Sequence, residues 1–534
     1  MTPWFAEETF TPQERERLQP HFTNLEGPVF ALVDLPEAVK GAMFARYSRT
    51  TRSLRRLYLD EFAEDVAPTA GPASDAGRAR ADRLYESVFV EYGDDSVAQL
   101  GGVHLACEQS SQLLAKALEW GRLAAYLEQS TRYMRYDGKP GERWRACVPG
   151  ELTGTPLEAR FEAFLDEVFG AYARMYEPME RHFKERYPQE PGDSDFVYRQ
   201  TIMAKTCDTL RVLLPAATRS NLGIYATGQS YEQLLMRLAT HPLQEMRDYG
   251  DLMTIELRKV IPEFLKRVDV TERGVAWSRY WADNRERVDE LTTRVLADVK
   301  PEARDEVTLV DWDPDGELKV AAAVLYAASD LPDDQLLELT RTMTSEQRTE
   351  ILRASVGERG NRRHKPGRAW ERTGYRFDVL CDFGAFRDLQ RHRTLTLEWQ
   401  RLTTEHGYET PPQVDEAGVR EDWDRVMQAS TDMERALLDA GMPEVAQYAV
   451  AMAFRIRFVM QMTAREAMHL TELRSQPAGH PVYRRVAQTM HRLIDEQAGH
   501  HAIAAAFTHV SYADVDLERL EAERRTEAKR KSLG

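Results

Sequence analysis

Short apolar runs that give way to helix-spaced apolar positions recur along the chain and set its predicted organisation. The first run, Val29-Phe30-Ala31-Leu32-Val33, ends at Asp34-Leu35-Pro36-Glu37 and yields to Val39, Met43 and Tyr47 at helical spacing. The same order returns at Val307-Thr308-Leu309-Val310-Asp311, followed by the turn Trp312-Asp313-Pro314-Asp315-Gly316 and then Val320, Val324 and Leu325. A strand, a turn and a helix are therefore expected twice. A long helix is expected from about Val103 to Glu119, and others over 157–188 and 195–214, where Phe161, Phe164, Val168 and Tyr172 form a stripe that belongs in a core. Residues 64–82, rich in Ala, Pro, Gly, Ser and Asp, read as a loop.

Later segments keep the repetition in register. Twelve residues separate Pro215 from Thr227, and twelve separate Ala451 from Thr463. A duplicated domain is the organisation this implies. An extension spans 1–27, a first repeat 28–270, a charged helical connector 271–306, a second repeat 307–512 and a charged tail 513–534.

Composition narrows the function. At 534 residues with 42% hydrophobic and 30% charged residues, the chain is expected to be a soluble globular protein with room for several cores. Its formal charge of −16 argues against general binding to nucleic acid or anionic membranes, so any anionic ligand must meet a local basic cluster. Cys107, Cys147, Cys207 and Cys381 lie far apart in sequence, as expected of reduced thiols rather than a disulfide frame or a zinc site. The start of the chain does not read as a signal peptide, and no apolar run approaches the ~18 residues of a membrane span. A cytoplasmic protein is expected. Asp311, Asp313, Asp315 and Gly316 imitate the opening of a calcium loop, but Ala322 stands where a bidentate Glu is needed, so a turn is expected instead. His491, His500, His501 and His509 lack carboxylate or thiol partners at ligand spacing, and no metal is expected there.

The densest chemistry lies in Gln390-Arg391-His392-Arg393-Thr394-Leu395-Thr396-Leu397-Glu398-Trp399-Gln400, with a partial echo in Trp120-Gly121-Arg122-Leu123-Ala124-Ala125-Tyr126-Leu127-Glu128-Gln129-Ser130-Thr131-Arg132-Tyr133. Arginine forks match phosphate and carboxylate oxygens and stack on flat rings. No nucleophile elbow, P-loop or dinucleotide-binding glycine fingerprint accompanies them. A second group, Arg465, His469 and Arg474, shares one stretch, with Arg465 and His469 four apart on one helical face.

These stretches resemble the signature of the flavin-dependent thymidylate synthases, in which Arg-His-Arg is followed by seven residues, a serine, one residue and an arginine. Each copy keeps a different half. The second keeps Arg391, His392 and Arg393 but has Arg401 and Thr403 where the serine and arginine belong. The first keeps Glu128, Ser130 and Arg132 but has Trp120 and Gly121 in place of the first Arg and His. Upstream, only Ser96-Val97 survives of the family's histidine-flanked element in copy one, while copy two keeps Glu371 with His364 nearby.

The resemblance implies an α+β protein of two tandem thymidylate-synthase-complementing-protein-like domains, each a sheet covered by long helices. It implies that Arg391, His392, Arg393, Arg465 and His469 hold FAD. Glu128, Ser130, Arg132 and Arg211 would hold dUMP, with Arg474 against the uracil, and Arg474 and Ser130 would serve catalysis. FAD would pass a methylene group from methylenetetrahydrofolate to carbon 5 of dUMP, and NADPH would re-reduce the flavin. The alternative is a divergent relative that binds flavin or nucleotide without synthase activity. Family members are homotetramers, so a duplicated chain is expected to form a homodimer equivalent to a pseudo-tetramer, with hybrid sites drawn from both copies.

Overall fold

The computed structural model describes residues 8–47, 50–63, 99–514, 517 and 519–533. The chain forms two compact units. One comprises Met1–Glu108, Leu123–Glu128 and Asn221–Asp298; the other comprises Gln109–Arg122, Gln129–Ser220 and Val299–Gly534. The expected loop at 64–82 and the Ser96-Val97 element lie outside the described residues.

In the first unit, a capping box between Thr11 and Glu14 starts the helix Pro12–Leu18. Leu18, Phe22, Leu25, Val39, Met43, Leu54, Leu57 and Tyr58 close a core around it. The helix Glu37–Tyr47 lies where the spacing places it. The run at Val29–Val33 is not a strand. Among the described residues only Leu32 of this run makes a bridge, to Phe22, and Val29 is 80% exposed. Phe30 instead packs beneath the Arg55 guanidinium, 4.7 Å from it, so this run serves a cation–aromatic contact rather than a ladder.

The expected helix at 103–119 is also corrected. Gly102–Ser111 is a strand, β1, and only Gln112–Leu118 is helical, capped by the Ser111 side chain. Val103 and Cys107 are buried while His104, Ala106 and Glu108 face out, a period of two that the helix-favouring Leu and Ala content masks.

β1 joins β2 (Ala124–Glu128) and β3 (Arg219–Thr227) in a sheet of order β1-β3-β2. The second unit holds β4 (Val307–Trp312), β5 (Gly374–Asp382), β6 (Thr396–Trp399) and β7 (Arg455–Thr463), all antiparallel in the order β4-β5-β7-β6. Tyr375, Phe377, Val379 and Cys381 alternate inward from β5, as Ile456, Phe458, Met460 and Met462 do from β7. Between β4 and the helix Gly316–Tyr326, Asp313 accepts from the Asp315 N–H at 3.1 Å and pairs with Lys319, so the aspartates build a turn.

β3 and β7 each run nine residues and end on a threonine, Thr227 or Thr463, that caps the following helix. Within the second unit, the segments preceding these strands meet in an antiparallel bridge between Pro215 and Ala451. Ala216 N–H donates to Val450 C=O at 2.9 Å and Met452 N–H to Leu214 C=O at 2.9 Å. Ala217 donates to Tyr448 at 3.0 Å and Ala453 to Val212 at 2.7 Å. Each bond has its mate under exchange of the copies, as a pseudo-twofold junction requires. The long helices Pro156–Arg186 and Arg420–Asp439 pack together beside it, burying Phe161, Phe164, Val168 and Tyr172 with Trp423, Val426 and Met433.

Candidate functional site

The helix Phe383–Leu389 is capped by Asp382 and runs out at Gln390, whose side chain donates to Lys116 C=O at 2.9 Å. This anchor leaves Arg391-His392-Arg393 on the turn into β6. Arg391 and Arg393 face out while His392 is buried. His392 Nδ1 lies 2.9 Å from Glu466 Oε1, and its Nε2 accepts from Arg474 Nε at 3.0 Å. A guanidinium is always a donor, so Nε2 carries no proton and Nδ1–H donates to the carboxylate. Burial pushes the His392 pKa down to about 4, which agrees with this neutral tautomer. Thr394 also donates to Glu466. These bonds tie the Arg-His-Arg turn to the helix Ala464–Arg474, which carries Arg465, His469 and Arg474. The His469 ring lies 5.3 Å from that of His392.

His392, Glu466 and His469 bring three ligand atoms within 4.8 Å of one another, a spacing that suits a metal. Their surroundings do not. Metal bound at Nδ1 would leave His392 needing an imidazolate to keep accepting from Arg474, and Lys365, Arg362 and Arg474 all bear on His469. The set reads instead as a rigid brace behind a cationic face.

A second network runs on from Arg474. Arg132 donates to Asp208 at 2.8 Å, and Arg211 Nε lies 3.0 Å from the other Asp208 oxygen. Arg211 Nη2 and Arg391 Nη1 each lie 3.5 Å from Asp388, and Arg474 Nη1 lies 3.9 Å from it. Arginines from both halves of the split motif thus share two carboxylates within one compact unit. Burial alone would raise both acids, but Arg132 and Arg211 bring Asp208 down to about 2, and Arg391, Arg211 and Arg474 hold Asp388 well below the usual carboxylate range. Burial drives neighbouring His480 down to about 3, so it is neutral. Tyr483 lies 5.5 Å beneath the Arg474 guanidinium.

Arg211 is 4% exposed, yet its Nε and Nη2 have no hydrogen-bond partner. They are near enough to the carboxylates for charge attraction but misaligned for a bond. Buried unmatched donors cost ~1–3 kcal/mol each, and an oxyanion is a group that would satisfy them.

The remaining expected residues are placed as follows. Ser130 Oγ accepts from Arg132 N–H at 3.4 Å, shaping the loop that presents Arg132. Arg465 donates to Pro366 C=O at 2.9 Å and lies 3.6 Å from Glu371. Glu128 ends β2 in the other compact unit. It pairs with Leu222, and Trp399 pairs with Phe458; Leu222 and Phe458 each precede their capping threonine by five residues, so Glu128 and Trp399 hold the same repeat position. Eight residues before each stand Trp120 and Arg391. Trp120 and Trp399 touch edge to face, their rings 5.7 Å apart, and Arg122 donates to Thr396 at 3.2 Å. Where one repeat has arginine and the other glutamate, their counterparts are two packed tryptophans. Sequence reasoning missed Asp208, Asp388, Glu466 and His480. A signal existed for two of them, since Asp208 precedes Arg211 and Asp388 precedes Arg391 by three residues.

A family profile described as thymidylate synthase complementing protein matches residues 42–263 and again 308–500. Among similar proteins are a UPF0159 protein of Chlamydia muridarum, 38% identical over 97% of this chain and 99% of its own, and one of Chlamydia pneumoniae, 37% identical over 98% and 99%. A UPF0159 protein of Thermoplasma acidophilum is 26% identical over 92% and 99%. The crystal structure of a UMP/dUMP methylase, PolB from Streptomyces cacaoi, bound with 5-Br dUMP, covers 39% of this chain and 97% of its own, with 21% identity and a TM-score of 0.30.

Proposed function

The chain belongs to the thymidylate synthase complementing protein family, and on that footing we propose that it is a flavin-dependent methyltransferase acting at carbon 5 of dUMP or a related pyrimidine nucleotide. Methylenetetrahydrofolate is the one-carbon donor in this reading and NADPH the reductant. The observation that carries it is the meeting of Arg132 and Arg211 with Arg391 and Arg474 around two carboxylates, with buried Arg211 donors left for an oxyanion.

FAD fits the residues present. Arg391 and Arg465 keep 37% and 38% of their side chains in solvent, so their guanidiniums are accessible to a pyrophosphate. Arg393 adds to that cationic face, and His469, its pKa lowered by burial, lies beside it as an imidazole. Bound there, FAD would supply the hydride and the redox carrier for the methylene group. Arg132 and Arg211 hold the nucleotide phosphate, and Ser130 shapes the loop that presents Arg132. Glu128 enters by its repeat position alone. Arg474, with Nε committed to His392, keeps its Nη donors for a pyrimidine carbonyl, where they stabilise the negative charge that builds as carbon 5 becomes nucleophilic. Glu466 and His392 position Arg474 and, being deprotonated and neutral, hold its charge in place.

Purified protein should be yellow or take up FAD, and replacing Arg391 and Arg393 together by Ala should abolish uptake in folded protein. A chain whose melting temperature does not respond to FAD removes the flavin from the reading. Expression in a thymidine-requiring host tests the full reaction. Rescue supports it, and failure with FAD-loaded soluble protein leaves a different acceptor or a binding role.

A further inference from the structure

We propose that Arg519 is a further phosphate-binding residue of the nucleotide site, brought to Arg132 by a C-terminal helix that is latched along the helix carrying Asp208. The inference rests on the nucleotide-binding reading above and deepens it.

The helix Leu520–Leu533 lies beyond the residues that match the family profile and packs on the helix Asp195–Leu210 within one compact unit. Its latch grips the start of that helix. Arg524 Nε donates to one Asp193 oxygen at 2.7 Å and Nη2 to the other at 3.0 Å, a side-on fork on a buried carboxylate. Nη2 also reaches Glu190 at 2.7 Å. Ser194, which caps the helix Asp195–Leu210 through the Val197 N–H, donates to Glu527. The far end of the same helix carries Asp208 and runs into Arg211, so latch and anion site are mounted on one rod of about 24 Å.

The two helices run antiparallel, which puts Arg519 at the Asp208 end. Arg132, Lys205, Asp208, Leu517 and Arg519 line one cleft there. The Arg519 guanidinium lies 5.0 Å from the ring of Tyr133, the residue after Arg132, and this stacking places it without using its donors. Its bond to Glu523 is long at 3.4 Å, and its Nε is buried with no hydrogen-bond partner among the described residues. The other charged groups of the cleft have contacts of their own. Asp208 is held by Arg132 and Arg211, and Lys205 Nζ lies 5.9 Å from the Phe183 ring. A stacked arginine with a buried unmatched donor, beside the arginine that meets the nucleotide phosphate, is suited to take a second oxygen of that phosphate. The cleft is narrower than a water molecule in this conformation. The Arg519 fork therefore swings aside on its stem to admit the phosphate and closes on it, while the latch at Arg524 keeps the helix in place.

The test measures binding of dUMP, and of inorganic phosphate as a second probe, to the full chain by calorimetry at fixed ionic strength. A charge-assisted bond to a phosphate is worth about tenfold or more in affinity. Arg519→Gln should therefore weaken both probes by about tenfold or more, with the melting temperature of the free protein little changed. Arg524→Gln touches no ligand and should weaken both by a smaller factor, because the helix that delivers Arg519 is loosened. The double variant should bind no more weakly than Arg519→Gln alone, since delivering Arg519 is what the latch does for the ligand. Wild-type affinities in folded Arg519→Gln overturn the inference and leave the nucleotide reading standing. Should that variant not fold, Arg524→Gln decides, and unchanged affinities there overturn the inference in the same way. Phosphate binding by wild type without dUMP binding overturns the functional reading, and the phosphate affinities then decide on Arg519. Binding of neither probe overturns both.

Discussion

At the scale of single residues, the site depends on which groups are charged. His392 is neutral because burial opposes its proton and both ring nitrogens are already committed, Nδ1–H to Glu466 and Nε2 to Arg474. The unfolded imidazole takes a proton near pH 6.5, whereas the folded one resists until about 4. Between those values the unfolded chain binds more protons, so stability falls as pH falls through that window, by on the order of 1–3 kcal/mol for this group. His480, held down to about 3, acts in the same direction. Asp208 acts lower down. Its pairing stabilises the fold above the ordinary carboxylate value of 3.8 and is lost as pH falls towards about 2. His392→Gln offers a donor to Glu466 and an acceptor to Arg474 with nothing to titrate. Melting temperatures followed from pH 7 to 4 should fall less steeply in this variant than in wild type. Parallel curves would mean that His392 charges freely in the folded state.

At the scale of elements, the junction between the copies shows how a repeat diverges while preserving its backbone. Pro215 has no N–H to satisfy. Its mate Ala451 has one, and Ser430 supplies the acceptor at 3.0 Å while donating to Ala449 C=O at 2.8 Å, all of it buried. Ser430→Ala should cost about 1–3 kcal/mol by stranding both groups. Adding Ala451→Pro, which copies the first repeat, should recover part of that loss, because one stranded group is gone. Denaturant titrations of the two single variants and the double variant test this, and strictly additive losses would refute the coupling. The same contrast explains what was legible in the sequence. The helices Pro156–Arg186 and Asp195–Leu210, β4 and the helix after it announced themselves, because each has a periodic apolar face and end signals of its own. β1 did not, since its few inward positions sit among helix-favouring residues, and Val29–Val33 has strand composition but, among the described residues, makes only an isolated bridge, at Leu32. The arginines were legible by motif. Asp208, Asp388 and Glu466 were not, because a carboxylate's role depends on which cations the fold brings to it from distant elements.

At the scale of the whole molecule, the split motif has a consequence for stoichiometry. One compact unit contains Arg132 and Arg211 from the first repeat together with Arg391, His392, Arg465 and Arg474 from the second. Among the described residues, one chain therefore supplies one such arginine set. The repeat positions that would seed a second hold Trp120 and Trp399, packed edge to face. Such a pair contributes ~0.5–1.5 kcal/mol beyond its burial and offers no fork to a phosphate. If the chain pairs as its family's tetramers imply, a homodimer presents four repeats but two competent sites. Titration with FAD, read by flavin absorbance against subunit concentration from light scattering, should saturate at one flavin per chain, with one dUMP bound beside each. Trp120→Arg should not raise that number, because Gly121 still stands where the histidine of the triplet belongs and Trp399 where the glutamate does. Saturation at two equivalent flavins per chain would show that the tryptophan-bearing positions still bind, and would end the view that each repeat has kept half of a single site.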